Sequence, residues 1–304
     1  MKEILNVKKN SFLSFDIRRK VISSSTSFGW KAPHVAYLYE ADATELFDEF
    51  QSLNNGKGDG NKISLNTILM KIIVESIKVD PRLNAHISFN KWFCSGHIKI
   101  INSIDVNTPV LLSNKEMIIV RIPDCGVKSL SEIENHIKKL MTRINNTNID
   151  ITLLKVGLED TFEHIKRGDF FHPAGRLLGL KFGGDRLKKF SRKEKDEYKK
   201  TRDDLRLCTG DINMGTVTIS NIGASVRDTI GTPVLIDLVS PQVLAVGIGT
   251  LQDKPRVLNS RIVSRRIIPF CIVFDHRALD FGNISKLINQ MDSFFRYPKV
   301  IYTW

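Results

Sequence analysis

The chain has 304 residues, a formal net charge of +12 and 42% hydrophobic residues. That length supports one large domain or two ordinary ones, with ample material for a core. No apolar run reaches membrane-spanning length, the N-terminus lacks a signal-peptide core, and Cys94, Cys125, Cys208 and Cys271 have no metal-ligand spacing. The expectation is a cytoplasmic protein with reduced thiols, no metal and no membrane partner. Much of the basic excess lies between Arg186 and Arg206, interleaved with Glu and Asp. Such mixed runs are usually solvated helix faces, so nucleic acid is the less favoured partner, and a basic surface equally attracts polyanionic small molecules.

Taken in order, Ile17–Ile22 reads as a polar helix and Ala32–Asp42 as an extended segment. Ala43–Leu53 reads as a helix, with Thr44 near its start, and the Gly/Asn/Asp/Lys stretch from Asn54 to Asn61 ends it. Ser64–Val79 is a strongly apolar helix whose Leu65, Ile68, Leu69, Ile72, Ile73 and Ile77 make a wide stripe. Short strands are expected near Trp92-Phe93, over His97–Ile104, Val110–Leu112 and Met117–Ile122. Another helix runs from Ser129 to Ile144, with Leu130, Ile133, Ile137, Leu140 and Met141 on one face. The first half therefore alternates helices with strands of one sheet.

Near the C-terminus the apolar run Ile267–Phe274 reads as a buried strand. It delivers Asp275, His276 and Asp280 into a short turn, and an amphipathic helix with Ile284, Leu287, Ile288 and Met291 follows. An imidazole at the end of a buried strand, near carboxylates, suits a general base.

Asp275-His276-Arg277 followed by Asp280 resembles the DHRxxDG signature of the catalytic domain of dihydrolipoamide acyltransferases, components of 2-oxoacid dehydrogenase complexes. Chloramphenicol acetyltransferase shares that fold with a related HxxxDG motif. Further segments resemble the same family in order: Pro33-His34, Glu40–Thr44, Pro81–Ala85, Val127–Ile133, Gly215–Gly223 (GTVTISNIG) and Pro241–Gly247. The resemblance runs from about residue 17 to residue 298. Three features depart from it. Phe281 stands where the family has Gly, and Glu116–Arg121 lacks a Gly and a Pro found in the corresponding family strand. The stretch of about 152–213, with Phe170-Phe171-His172-Pro173 and the apolar Leu177, Leu178 and Leu180, is longer than the family's connection and reads as a charged helical insertion.

The resemblance implies an α/β fold of the chloramphenicol acetyltransferase-like kind, a two-layer sandwich with a mixed β-sheet. It implies a single acyltransferase catalytic domain over 1–304, standing alone without lipoyl or subunit-binding domains. His276 would be the general base, Ser220 the oxyanion donor, and Asp280 the residue that orients the His276 loop, paired with Arg18 or Arg19. Asp275 and Arg277 would pack the loop. For His34, His86, His97, His136, His164 and His172 a structural role is expected. Acyl-coenzyme A is the implied substrate, with no metal. The partners are a small-molecule hydroxyl, amine or thiol acceptor, or a lipoyl group supplied in trans by a carrier protein. A homotrimer with sites between subunits is implied as well. A non-catalytic trimeric scaffold is the reading from a different class, and Phe281 is its main support.

Overall fold

The computed structural model describes residues 14–112, 117–166, 190–226 and 229–304. Phe170–Pro173, Leu177–Leu180, Glu116 and the first part of the basic run lie outside them. The chain forms two compact units: Met1–Ser24 with Arg143–Thr209, and Ser25–Thr142 with Gly210–Trp304.

The larger unit is built on a mixed, seven-stranded sheet in the order β1-β9-β7-β6-β4-β5, with β8 added beside β9. The strands are β1 (His34–Asp42), β4 (Val106–Leu111), β5 (Met117–Ile122), β6 (Val217–Asn221), β7 (Leu244–Ile248), β8 (Gln252–Leu258) and β9 (Arg261–Asp275). A separate hairpin joins β2 (Ala85–Asn90) to β3 (Ser95–Ile100). β6 runs parallel to both β4 and β7, whereas β9 is antiparallel to β1, β7 and β8. Strands buried on both faces read as apolar runs without alternation, and every residue of β9 from Ile267 to Asp275 is buried.

Alternate residues of β9 serve two different packing surfaces. Phe270 points toward the helices, stacking on Tyr39 with centroids 6.0 Å apart and meeting Phe295 at 5.8 Å. Cys271 and Val273 point the other way, into a cluster with Ala32, Leu238 and Ala245. After α1 (Ile17–Gly29), the helical layer over the sheet consists of α2 (Thr44–Asn54), α3 (Leu65–Ile77) and α7 (Phe281–Arg296). In α3 the side chains of Ile68, Leu69, Ile72, Ile73 and Ile77 are buried as the stripe predicts. Its start is capped twice: Ser64 Oγ accepts from Thr67 N, while Glu134 of α4 (Leu130–Asn145) accepts from Ser64 N at 3.0 Å and Thr67 Oγ1 at 2.6 Å. Lys71 is buried within the same helix and is fully engaged, donating to the Lys128 carbonyl at 2.8 Å and pairing with Glu75 at 2.7 Å.

The smaller unit contains α5 (Ile149–Lys166) and α6 (Arg192–Lys200). The mixed-charge run does form a short helix, opened by a Ser191/Glu194 capping box. It is anchored by the buried Tyr198, whose ring lies under Lys155 at 4.4 Å and Arg206 at 4.3 Å.

Several sequence expectations need correction. The strands of the first half do not share one sheet, since β2 and β3 form a separate two-stranded sheet, and the strand expected over Val110–Leu112 is β4, which starts at Val106. Trp92 and Phe93 lie in the turn of the β2–β3 hairpin rather than in a strand, and the reversal places Cys94 at φ +45°. β8 was not anticipated, because Pro255 and alternating charges hide it; proline is tolerated there since β8 pairs on one side only, with β9. β9 itself begins at Arg261, upstream of its apolar run, since Asn259 and Ser260 take left-handed φ values of +49° and +62° that suit a two-residue hairpin turn.

Gly223 shows how closely the exits of β6 and β7 approach. A Cβ there would lie 2.4 Å from the Gly249 carbonyl oxygen, a backbone atom. Gly223→Ala should therefore lower stability by about 1–3 kcal/mol, the usual cost of overpacking, as a fall in the urea midpoint with native circular dichroism retained.

Candidate active site

β9 carries the chain to Asp275, where the sheet ends. Asp275 N bonds the Val243 carbonyl and His276 N bonds the Pro33 carbonyl, so the strand is held from both sides to its last residue. The Asp275 carboxylate is 1% exposed and organises the turn beyond it. It accepts from Arg277 N at 2.9 Å and from the Arg277 guanidinium at 2.6–3.2 Å. The Leu279 and Ala278 amides return to the Asp275 carbonyl. Asp275 and Arg277 thus pack the loop, as expected, and Arg277 lies over the Phe89 ring of β2 at 5.3 Å.

Within that turn the His276 side chain is 44% exposed. Its Nδ1 is 3.1 Å from the Leu279 carbonyl oxygen and 3.4 Å from Asp280 Oδ1. A carbonyl oxygen only accepts, so the neutral ring carries its proton on Nδ1 and leaves the Nε2 lone pair available. That tautomer is the one a general base requires. The Asp280 side chain is 82% exposed, which screens its charge.

What holds the start of α7, and with it this turn, was not read from the sequence. Asp280 N donates to Asn283 Oδ1 at 2.9 Å, and Asn283 Nδ2 donates to Asp80 Oδ2 at 2.8 Å. Asp80 is 4% exposed and also takes hydrogen bonds from Arg82 N, the Arg82 guanidinium and Lys286. The Arg82 guanidinium foremost, with Asn283 and Lys286, holds the Asp80 carboxyl far below the usual carboxylate range against the opposing effect of burial. Asp80 directly precedes the Pro81–Ala85 segment, but nothing local announces a partner two hundred residues away. Inside the smaller unit Arg18 Nε bonds Asp150 Oδ1 at 2.6 Å.

Ser220 sits half-buried near the end of β6, opposite Gly247 of β7, which in turn pairs with Cys271 of β9. At about 3.3 Å per residue and about 4.8 Å between strands, Ser220 and His276 are roughly 19 Å apart in one chain. The structure therefore brings His276 and Asp280 together and leaves Ser220 apart from them. Ser220 shares its face of β6 with Thr218, whose hydroxyl donates to Gln242 Oε1 at 2.6 Å, while Gln242 Nε2 donates to the Gly215 carbonyl at 2.9 Å. His86 Nε2 lies 3.2 Å from that same carbonyl, and burial pushes its pKa down, as suits a structural imidazole. The next residue, Asn221, faces the other side and lines a cleft of about 260 Å³ with Leu69, Gly223, Gly249, Thr250 and Ile268. A wider depression of about 730 Å³ beside Asp48, Phe50 and Lys62 contains none of the three expected residues.

Phe281 is accommodated without strain. It is the first residue of α7, and the positive φ values among described non-glycine residues belong to Cys94, Asp124, Asn259 and Ser260. Burial pushes the Cys125 thiol up to about 12 and the Cys271 thiol up to about 11, so neither is a ready nucleophile. Among the described residues no cluster of three or more His, Cys, Asp or Glu forms a metal site, and no helix is long and apolar enough to cross a membrane.

The larger unit is thus a mixed sheet backed by helices, with His276 on the turn after its longest strand. Residues 11–155 and 185–302 match the family described as 2-oxoacid dehydrogenases acyltransferase (catalytic domain), and the chain belongs to that family. The dihydrolipoyllysine-residue acetyltransferase component of the pyruvate dehydrogenase complex of Staphylococcus aureus is 30% identical over 287 residues, 94% of this chain and 51% of that protein. The lipoamide acyltransferase component of the branched-chain alpha-keto acid dehydrogenase complex of Pseudomonas putida is 21% identical over 94% of this chain and 52% of its own length. The chain thus spans about half the length of these curated relatives. The cubic core of the pyruvate dehydrogenase multienzyme complex has the same fold, with a TM-score of 0.64 at 14% identity over 99% of this chain and 97% of that one.

Asp80→Ala would strand the buried Asn283 amide. A loss of about 2 kcal/mol in a urea melt is expected, within the range for an unsatisfied buried group. Because the folded Asp80 pKa is depressed, its contribution is complete above the unfolded carboxylate pKa and is lost only as pH falls toward the folded value. The difference between wild type and variant should therefore be flat from about pH 5 to 8 and shrink in strong acid.

Proposed function

We propose that this domain transfers an acyl group between the thiol of coenzyme A and a dihydrolipoyl thiol carried on a separate domain or protein. The observation that carries this is the His276 imidazole, half exposed, with Nδ1 committed to the Leu279 carbonyl and Nε2 left as a base. The choice of acceptor is supported by the relatives named above, which are dihydrolipoyl or lipoamide acyltransferases and match 94% of this chain. A free small-molecule acceptor, the reading the sequence slightly favoured, has no such support.

In the forward step His276 Nε2 takes the proton of the acceptor thiol as its sulfur attacks the thioester carbonyl carbon. The resulting oxyanion receives a hydrogen bond from a Ser220 hydroxyl, and its collapse expels the departing thiolate, which recovers the proton from the imidazolium. Acceptor thiols have a reference pKa of about 8.5, within reach of an imidazole base. A separation of roughly 19 Å is too great for one chain's own His276 and Ser220 to act on one carbonyl. The proposed site therefore lies between subunits of a homotrimer, with His276 from one chain and Ser220 from the next. Asp280 is proposed to steady the His276 turn through its place at the start of α7. The scaffold reading loses its ground with Phe281, which begins a regular helix beside an intact histidine turn.

Acyl-coenzyme A thioesters assayed with and without dihydrolipoamide, with free thiol as the readout, test the reading directly. His276→Ala should lower turnover at least about 100-fold, and Ser220→Ala about 10²- to 10³-fold, both with folding intact. A covalent acyl-serine in a mass spectrum would overturn the role given to Ser220.

The shared site makes a sharper forecast. Co-expressed His276→Ala and Ser220→Ala chains should regain substantial activity, because mixed trimers contain sites with both wild-type residues. No recovery in verified mixed trimers would overturn the shared site, since no site would then combine His276 of one chain with Ser220 of the next.

A further inference from the structure

The apolar stripe of α7 runs through Ile284, Leu287, Met291 and Phe295, all buried. Phe281 continues it one turn beyond the covered part and is 50% exposed. Its ring meets the fully buried Phe274 edge-on with centroids 5.4 Å apart, and it meets the His276 imidazole edge-on at 6.5 Å. Phe274 in turn lies 5.7 Å from His276. The three rings form one group, with Phe274 as its inner member and the outer two partly open to solvent. The Phe281 ring packs against Phe274 on one side. It leaves about half its surface free beside the group proposed to accept a proton.

We propose that Phe281 is a specificity-determining residue: its ring is an apolar wall beside His276 that favours acceptors whose reacting thiol is carried on an aliphatic chain over small polar thiols. The inference rests on the reading of His276 as the base. A thiol that yields its proton to Nε2 must approach to about hydrogen-bond distance, which brings the carbon atoms next to its sulfur toward a ring only 6.5 Å from the imidazole centre. A methylene chain loses water-exposed apolar surface there and gains. A hydroxyl or charged group in the same place gives up hydration without finding a partner, and loses. The glycine that the resembled family carries at this position offers no such wall.

The test compares the 304-residue chain with its Phe281→Gly, Phe281→Asn and Phe281→Leu variants, using the best acyl-coenzyme A donor from the thioester screen. Each is assayed with dihydrolipoamide and with 2-mercaptoethanol, and each is checked for its melting temperature and trimeric state. Removing the ring should reduce kcat/KM for dihydrolipoamide about 10-fold, the lower end for a hydrophobic contact, mainly through KM. The value for 2-mercaptoethanol should stay within about twofold, while Phe281→Leu should keep most of the wild-type preference. Phe281→Asn retains a side chain at the helix start and serves as the polar variant if glycine weakens the helix. An equal fall for both thiols would mean that the ring only supports the imidazole, and an unchanged ratio would mean that it selects nothing; either overturns the proposal. Wild-type protein that transfers to neither thiol would instead remove the acyl-transfer reading, and this inference with it.

Discussion

Everything around the histidine turn depends on how β9 is confined. The strand is buried on both faces over its second half and is paired with β1 and β7 along both edges. A strand confined in this way cannot slip, because a shift of one residue would exchange the Phe270 side for the Cys271 side and misplace both packing surfaces. Its last paired residue, Asp275, therefore stands at a set depth. The hydrogen bond from His276 N to Pro33 carries that certainty one residue further, into the turn.

Two buried carboxylates finish the work. Asp275 closes the turn on its own neighbour, Arg277, and its burial is tolerable because the guanidinium and a backbone amide answer it. Asp80 acts at a distance, tying Asn283 and Lys286 of α7 to the turn that carries Arg82. Removing water from such groups strengthens their hydrogen bonds and makes a missing partner costly. The imidazole on this turn can then be left half exposed with Nδ1 still held at the Leu279 carbonyl.

The register of the sheet has a consequence for activity. Ser220 on β6 is level with Cys271 on β9, well short of the strand end that presents His276. A protein that used both residues from one chain would need β6 shifted by several residues or a longer excursion after it. Under the proposed acyl transfer, the Ser220 that meets His276 would come from a second chain. Phe281 belongs to the same neighbourhood. As a helix-starting residue it costs no backbone strain, and its exposed ring alters what the imidazole meets rather than how the turn is made.

Much was legible in the sequence by itself. The α3 stripe, the Ser129–Ile144 helix and the apolar run of β9 were readable because burial imposes a period, or the loss of one, on neighbouring residues. The histidine turn was readable because its organising contacts, from Asp275 to Arg277 and from His276 to Leu279, fall within a few positions of one another. What escaped was everything carried by contacts distant along the chain. β8 was hidden since a strand paired on one side tolerates proline and charge, and the Asp80–Asn283 tie joins residues with no local pattern in common. The sequence alone determined that a histidine and two carboxylates meet in the turn after β9. Only the tertiary structure decided that Nδ1 is the protonated nitrogen and that Ser220 lies out of reach in the same chain, because hydrogen-bond direction and strand register exist only once distant segments have met.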